Sequence, residues 1–134
     1  MDYIHSQGII HRDIKPLNII LNDHTKEFKI IDWGLAEFYV PGNKLHHRVA
    51  TRYYKSPEIL MGMEDYHYAL DMWSLGCIFA ELILKKTPMF QGSDNPDQLL
   101  KIIQILGTAN LLEVLKKYRL RLPKDLFPKL SKYS

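Results

Sequence analysis

The hydrophobic positions of this chain change rhythm along its length, and the changes divide it into elements. The opening MDYIHSQG reads as the last turns of a helix, with Gly8 as its stop. A helix that begins at its own end, with nothing to cap it, leads us to expect a chain truncated at its start. NIIL and FKII are short strand-forming runs on either side of NDHTKE, whose Asn22 and Asp23 favour a turn. They predict a hairpin of Ile19–Leu21 with Phe28–Ile31. From Asp32 to Lys55 no period is sustained, which predicts a long loop of the kind that is either functional or disordered. SPEILM starts a short helix, with Ser56 as N-cap and Pro57 at its first position.

ALDMWSLGCIFAELILKK sets Leu70, Trp73, Ile78, Phe79, Leu82 and Ile83 on too many faces for a single stripe. The helix over about 69–86 is therefore expected to be central and buried all round. NPDQLLKIIQILG predicts a helix over about 96–106: Asn95 caps it, Pro96 opens it, Gln98 completes a capping box and Gly107 stops it. NLLEVLKKY predicts one more short helix, and the tail from Arg119 has little pattern. There is no internal repeat and no low-complexity segment.

Composition narrows the class. At 134 residues, 46% hydrophobic and 25% charged, the chain suits one globular domain. A net charge of +3 is mildly basic, and the lysines are scattered apart from pairs such as Lys85-Lys86 and Lys116-Lys117. That describes a solvated surface better than a phosphate-binding stripe, so no nucleic-acid partner is expected. The single cysteine, Cys77, rules out an internal disulfide framework and fits a reducing compartment. Within SLGCIFAELIL it reads as a small core residue. Asp2, His5 and Gln7 interrupt any apolar leader, and no run approaches the roughly 18 apolar residues of a membrane helix, so no membrane association is expected.

Three stretches carry candidate chemistry. In HRDIKPLN, Asp13 suits a general base or an ion ligand. Lys15, two residues on, projects to the same side of an extended segment and can neutralise developing negative charge. Asn18 offers a hard carbonyl oxygen of the sort magnesium prefers. In IIDWG, Asp32 ends a strand beside a flexible glycine, where it either holds a cation or caps a turn. In VATRYYKSPE and the residue before it, Arg48, Arg52 and Lys55 have no acidic neighbour until Glu58, and His46 and His47 add positive charge below about pH 6.5. That group is either a solvated basic face or an anion-recognition loop. Taken singly, each of these residues reads equally well as a turn former or a surface side chain.

Their order joins them. H-R-D-x-K-x-x-N, D-x-G, x-P-E and D-x-W-S-x-G follow one another and together resemble the signature set of the eukaryotic protein kinases. Lys15 and Thr51 resemble the serine/threonine class. DWG, with IIDWGLAEFYVPG, RVATRYYKSPE, LDMWSLGCIFAELI and DNPDQLLKIIQILGT, resembles the casein kinase 2 catalytic subunits over nearly the whole chain, weakening after Gly107.

The resemblance implies a mainly α fold with a small β-hairpin: a partial C-terminal lobe of the α+β kinase fold over 1–134. Its parts would be a catalytic loop at 11–18, an activation segment at 32–58, a buried central helix at about 69–86 and a capped helix at about 96–106. It implies that Asp13 orients or accepts the proton of a substrate hydroxyl, that Lys15 steadies the phosphoryl group, and that Asn18 and Asp32 hold Mg2+ on ATP or GTP. Ile20 and Ile31 would floor the adenine. Arg48, Thr51, Arg52 and Lys55 would meet acidic protein substrates, and a regulatory beta subunit would join the complete protein in cytoplasm and nucleus. His11 would pack beside Trp33, Asp71 would hydrogen-bond the catalytic-loop backbone, and Glu58 would pair with a distant arginine. The activation loop offers no serine or threonine before Thr51, so activation by phosphorylation is not expected. The alternative is a non-catalytic kinase-like module that binds acidic peptides.

The family's glycine-rich phosphate loop, its strand lysine and the partner glutamate are not found in these 134 residues, nor are its last helices. By titration calorimetry, this chain alone is expected to bind magnesium–ATP weakly; tight binding would contradict the reading of a partial kinase domain.

Overall fold

A short helix, α1 (Asp2–Ser6), ends where Gln7 and Gly8 turn the chain, and Gly8 takes the left-handed φ of +77° anticipated for the stop. The computed structural model describes residues 1–118 and Leu122. After the turn, β1 (Ile9–Ile10) runs into the HRD loop. The predicted hairpin is present as β2 (Ile19–Leu21) and β3 (Phe28–Ile30), with Ile19 opposite Ile30 and Leu21 opposite Phe28. Asn22 shapes its turn by accepting the His24 amide on its side chain.

The stretch read as a featureless loop holds more order than that. β4 (Glu37–Phe38) pairs antiparallel with β1, and tight turns occupy Trp33–Leu35 and Arg52–Tyr54. Pieces of two or three residues are too short to show a period, so the pattern could not reveal them.

α2 (Pro57–Leu60) begins at the expected proline. Ser56 starts it through its carbonyl, which accepts the Leu60 amide. Its buried hydroxyl, read as the cap, has no hydrogen-bond partner among the described residues. α4 (Asn95–Leu106) needs a similar correction, since the cap is Asp94, one residue earlier than read, its carboxylate accepting the Asp97 amide at 2.8 Å. An ionised oxygen is the stronger acceptor for a helix N-terminus. Gln98 takes no part in a capping box but lies wholly buried, bonded to Gly92, Phe90 and Tyr53. Gly107 ends the helix at φ +84° as expected. α5 (Ala109–Tyr118) follows, and the patternless tail lies outside the described residues apart from Leu122, which is buried.

α3 (Ala69–Leu84) is the central helix, but it is not buried all round. Leu70, Asp71, Ser74, Cys77, Ile78 and Glu81 make one inward stripe. Met72, Phe79, Leu82, Ile83 and Leu84 face solvent, with Leu82 70% and Ile83 75% exposed. An all-apolar pattern shows that a helix wants cover on every side; it does not supply the neighbour. Trp73, half-buried, stacks on Phe90 at 6.0 Å. The main core gathers Ile14, Tyr54, Leu60, Ile78, Leu99 and Ile103 with their neighbours, and a smaller one holds Ile10, Val49, Ile59, Tyr66 and Leu70. Cys77 sits in the main core, where burial, reinforced by Glu81, pushes its thiol up to about 12, so it stays a neutral packing group. No helix among the described residues is long and apolar enough to cross a membrane.

The uncovered face of α3 predicts concentration-dependent self-association. In sedimentation analysis, Leu82→Glu with Ile83→Lys is expected to shift the chain toward monomer while changing stability by no more than about 0.5 kcal/mol, as befits surface positions. A large loss of stability would mean that these residues are packed.

Candidate active site

The site is built outward from Asp71. This aspartate is fully buried on α3, and its carboxylate accepts the backbone amides of His11 at 2.8 Å and Arg12 at 2.9 Å. His5 of α1 adds a ring nitrogen at 2.9 Å. A carboxylate buried with no partner would be strongly destabilising; three donors account for this one. The same bonds hold Arg12 at φ +68°, a left-handed geometry that costs a non-glycine residue about 1–3 kcal/mol and persists where its surroundings over-determine it. Arg12 is further held by its side chain, which donates from Nε to the Leu35 carbonyl at 2.5 Å and from Nη1 to the Tyr66 hydroxyl at 3.1 Å, with Glu37 at 3.7 Å from Nη2.

Arg12 delivers the chain to Asp13, which is buried and surrounded by donors. Oδ1 accepts the amide and the hydroxyl of Thr51, each at 2.9 Å. Oδ2 accepts Lys15 Nζ at 2.6 Å and Asn18 Nδ2 at 3.3 Å. Lys15 also donates to the Thr51 hydroxyl at 3.1 Å, and Asn18 Nδ2 to the Asp13 carbonyl at 2.9 Å. Burial by itself would raise the Asp13 carboxyl; the bonds from Lys15 and Thr51, with the lysine's charge, outweigh it and hold the group below its ordinary value. Asp13 is therefore a carboxylate throughout the neutral range.

The DWG loop is tied to this centre at several points. Ile31 donates its amide to the Asn18 carbonyl at 2.9 Å, and His11 bonds the Ile31 carbonyl at 3.1 Å. The His11 ring meets Trp33 edge-on at 4.7 Å, as the resemblance implied. Asp32, exposed at φ +61°, is thereby carried next to Asn18 by a one-residue step from that hydrogen bond. Ile20 on β2 and Ile31, one residue beyond β3 and so just past the predicted strand's observed end, both keep exposed apolar surface.

Among the described residues no group of three or more His, Cys, Asp or Glu could hold a metal alone. Asn18 and Asp32 supply two oxygen-bearing side chains, and with Nδ2 of Asn18 committed to Asp13, no described residue donates to its Oδ1. That donor set fits Mg2+, which keeps most of its shell for phosphate oxygens and water.

The basic residues divide. Lys55 is held below its ordinary value by burial and then by the charge of Arg52, so these two share one neighbourhood. Arg52 donates to the Ser93 carbonyl at 2.6 Å. Arg48 is exposed. Thr51, grouped with them by resemblance, sits instead on Asp13 and Lys15. Glu58 is half-buried and has no cationic partner among the described residues. Sequence reasoning missed His5, Tyr66 and Glu37 as supports of the HRD loop, and at separations of 25 to 66 residues no local spacing could have signalled them.

Because the folded value of Asp13 lies below the ordinary 3.8, its contribution to stability is complete above that pH and is lost as the pH falls through the depressed value. Asp13→Asn removes this dependence. Acid-unfolding curves of the two proteins are expected to converge below pH 3.8; a gap that stays constant down to about pH 2 would contradict the shift.

The arrangement agrees with what the chain is similar to. A family model described as the protein kinase domain matches residues 1–131. A probable serine/threonine-protein kinase of Dictyostelium discoideum is 57% identical over 122 residues, 91% of this chain and 20% of that protein. The casein kinase II subunit alpha' of Saccharomyces cerevisiae is 52% identical over 93% of this chain and 37% of its own length. A probable casein kinase II subunit alpha homolog of Encephalitozoon cuniculi is 54% identical over 90% of this chain and 38% of its own length. The chain thus spans between a fifth and two fifths of the relatives it matches, and with its kinase motifs gathered around one buried aspartate it belongs to the protein kinase family.

Proposed function

We propose that this chain supplies the catalytic-loop half of a serine/threonine kinase of casein kinase 2 type, moving the γ-phosphoryl group of ATP to a hydroxyl followed by acidic residues. The observation that carries the reading is the Asp13 carboxylate, locked by Lys15, Thr51 and Asn18, with the Asp32 loop bonded to the same Asn18. We assign residues 1–134 to the C-terminal lobe, with 11–18 as catalytic loop and 32–58 as activation segment. Because the chain covers only part of its relatives, transfer is assigned to a complete kinase domain.

Bound magnesium–ATP supplies the transferable group and neutralises much of its charge. Asn18 and Asp32 would hold the ion, and Ile20 and Ile31 would receive the base or that of GTP. Asp13, kept ionised by its donors, orients the acceptor hydroxyl and takes its proton late, since a depressed carboxyl is a weak base in the ground state. Lys15, 2.6 Å from Asp13, is placed to balance negative charge that develops beside it. Thr51 holds Asp13 in one rotamer through two bonds to Oδ1. Arg52 and Lys55, with Arg48 nearby in sequence, would attract acidic side chains of the substrate, contributing selectivity more than raw affinity. A regulatory beta subunit would act on the complete protein.

In a complete kinase domain carrying this segment, Asp13→Ala is expected to lower phosphoryl transfer by at least about a hundredfold while acidic peptides still bind. Transfer at the wild-type rate would remove the catalytic reading and leave the alternative, a module that binds acidic peptides through Arg48, Arg52 and Lys55.

A further inference from the structure

Gln98 is a buried amide at the start of α4 that touches none of the groups assigned to phosphate or metal, yet one of its hydrogen bonds reaches the basic turn. Its Oε1 accepts the Gly92 amide at 2.8 Å, and its Nε2 donates to the Phe90 carbonyl at 3.2 Å and to the Tyr53 carbonyl at 3.3 Å. The side chain is fully buried. Tyr53 stands within the turn Arg52–Tyr54, between Arg52 and Lys55. The next residue after Gly92 completes the tie, because the Ser93 carbonyl accepts Arg52 Nη1 at 2.6 Å. Ser93 is itself held by Asp97, whose carboxylate accepts its amide at 2.9 Å, and Asp97 is held by the Asp94 cap.

The packing here leaves no slack. A Cβ on Gly92 would lie 2.4 Å from the backbone of Gln98, so only glycine lets this segment approach α4 closely enough for the amide to reach both ways. Tyr54 has anchors of its own, its carbonyl accepting the Ser74 hydroxyl and its phenol donating to Glu81. Among the described residues, the bond to the Tyr53 carbonyl comes from Gln98.

We propose that Gln98 is a specificity-positioning residue: by fastening the Tyr53 carbonyl to α4 and to the 90–92 segment, it sets the placement of Arg52 and Lys55 and hence the preference for a substrate peptide bearing carboxylates. This rests on reading Arg52 and Lys55 as the acid-recognising pair. Gln98→Met removes all three bonds. Gln98→Glu keeps an acceptor for Gly92 but turns a negative oxygen toward two carbonyls.

The test compares binding, by fluorescence anisotropy, of a serine peptide followed by three aspartates and the same peptide with asparagines, using the full chain. Gln98→Met is expected to weaken the aspartate peptide about tenfold, the scale of one displaced charge-assisted bond, while the asparagine peptide changes less than about twofold. Hydrogen exchange at the Tyr54 and Lys55 amides is expected to quicken in the same variant. Equal weakening of both peptides would indicate a merely structural role and overturn the proposal, as would an unchanged ratio in a variant shown to be folded by circular dichroism. If Gln98→Met fails to fold, Gln98→Glu carries the same comparison. If the wild-type chain prefers neither peptide, or Arg52→Glu leaves the preference intact, the acid-recognition reading fails. Exchange then decides for Gln98, and unaltered protection at Tyr54 and Lys55 overturns its positioning role.

Discussion

Every arrangement in the site depends on one buried carboxylate accepting two consecutive backbone amides. Asp71 grips His11 and Arg12 from the first turn of α3, and this clasp keeps Arg12 in a left-handed conformation it would leave on its own. The consequence passes straight along the chain. With Arg12 fixed, its guanidinium reaches Leu35 and Tyr66, and the following residue points into the cluster of Thr51, Lys15 and Asn18. Losing the Asp71 carboxylate would orphan two buried donors, at about 1–3 kcal/mol each, and release the strain they restrain. The helix that supplies this residue is also the one whose inner stripe organises the core, so site and fold share a single support.

The charges near Asp13 are arranged for one protonation state. Desolvation opposes an ionised carboxyl, and a chain that only buried the aspartate would have left it easier to protonate. The bonds from Lys15 and Thr51, the latter through both its hydroxyl and its backbone amide, reverse the balance together with the lysine's charge. Tyr54, three residues after Thr51, shows the opposite outcome: buried and bonded to Glu81, its phenol is pushed well above its ordinary value. Two buried groups are thus driven apart in acidity by whether their neighbours are donors or a carboxylate.

Much of this was legible in the residues, for definable reasons. The hairpin, α4 and the stop at Gly8 were readable because their signals are local: a turn former between strand formers, a proline and a glycine at helix ends, a glycine free to take φ of +77°. The cluster of Asp13, Lys15 and Asn18 was readable because all three lie within six residues. What escaped depends on distance or on absence. β4 has two residues and is defined only by β1, whose residues pair with it from 27 and 29 positions away. Gln98 looked like a capping residue because its spacing from Asn95 permits that role; its burial, set by the close approach of Gly92, decided otherwise. The solvent-facing side of α3 escaped because hydrophobicity states a preference, and Phe79, Leu82 and Ile83 have no described neighbour to satisfy it.

The guanidinium of Arg12 has a further meaning for control. It already spends its donors on the Leu35 carbonyl and the Tyr66 hydroxyl, with the Glu37 carboxylate close by. A phosphate introduced into this segment would meet an occupied socket and would gain only the difference between two anions, not the full attraction of a bare cation. Arg12 thus carries its counter-charge within the polypeptide, and a new anion would have to compete with Glu37 for it.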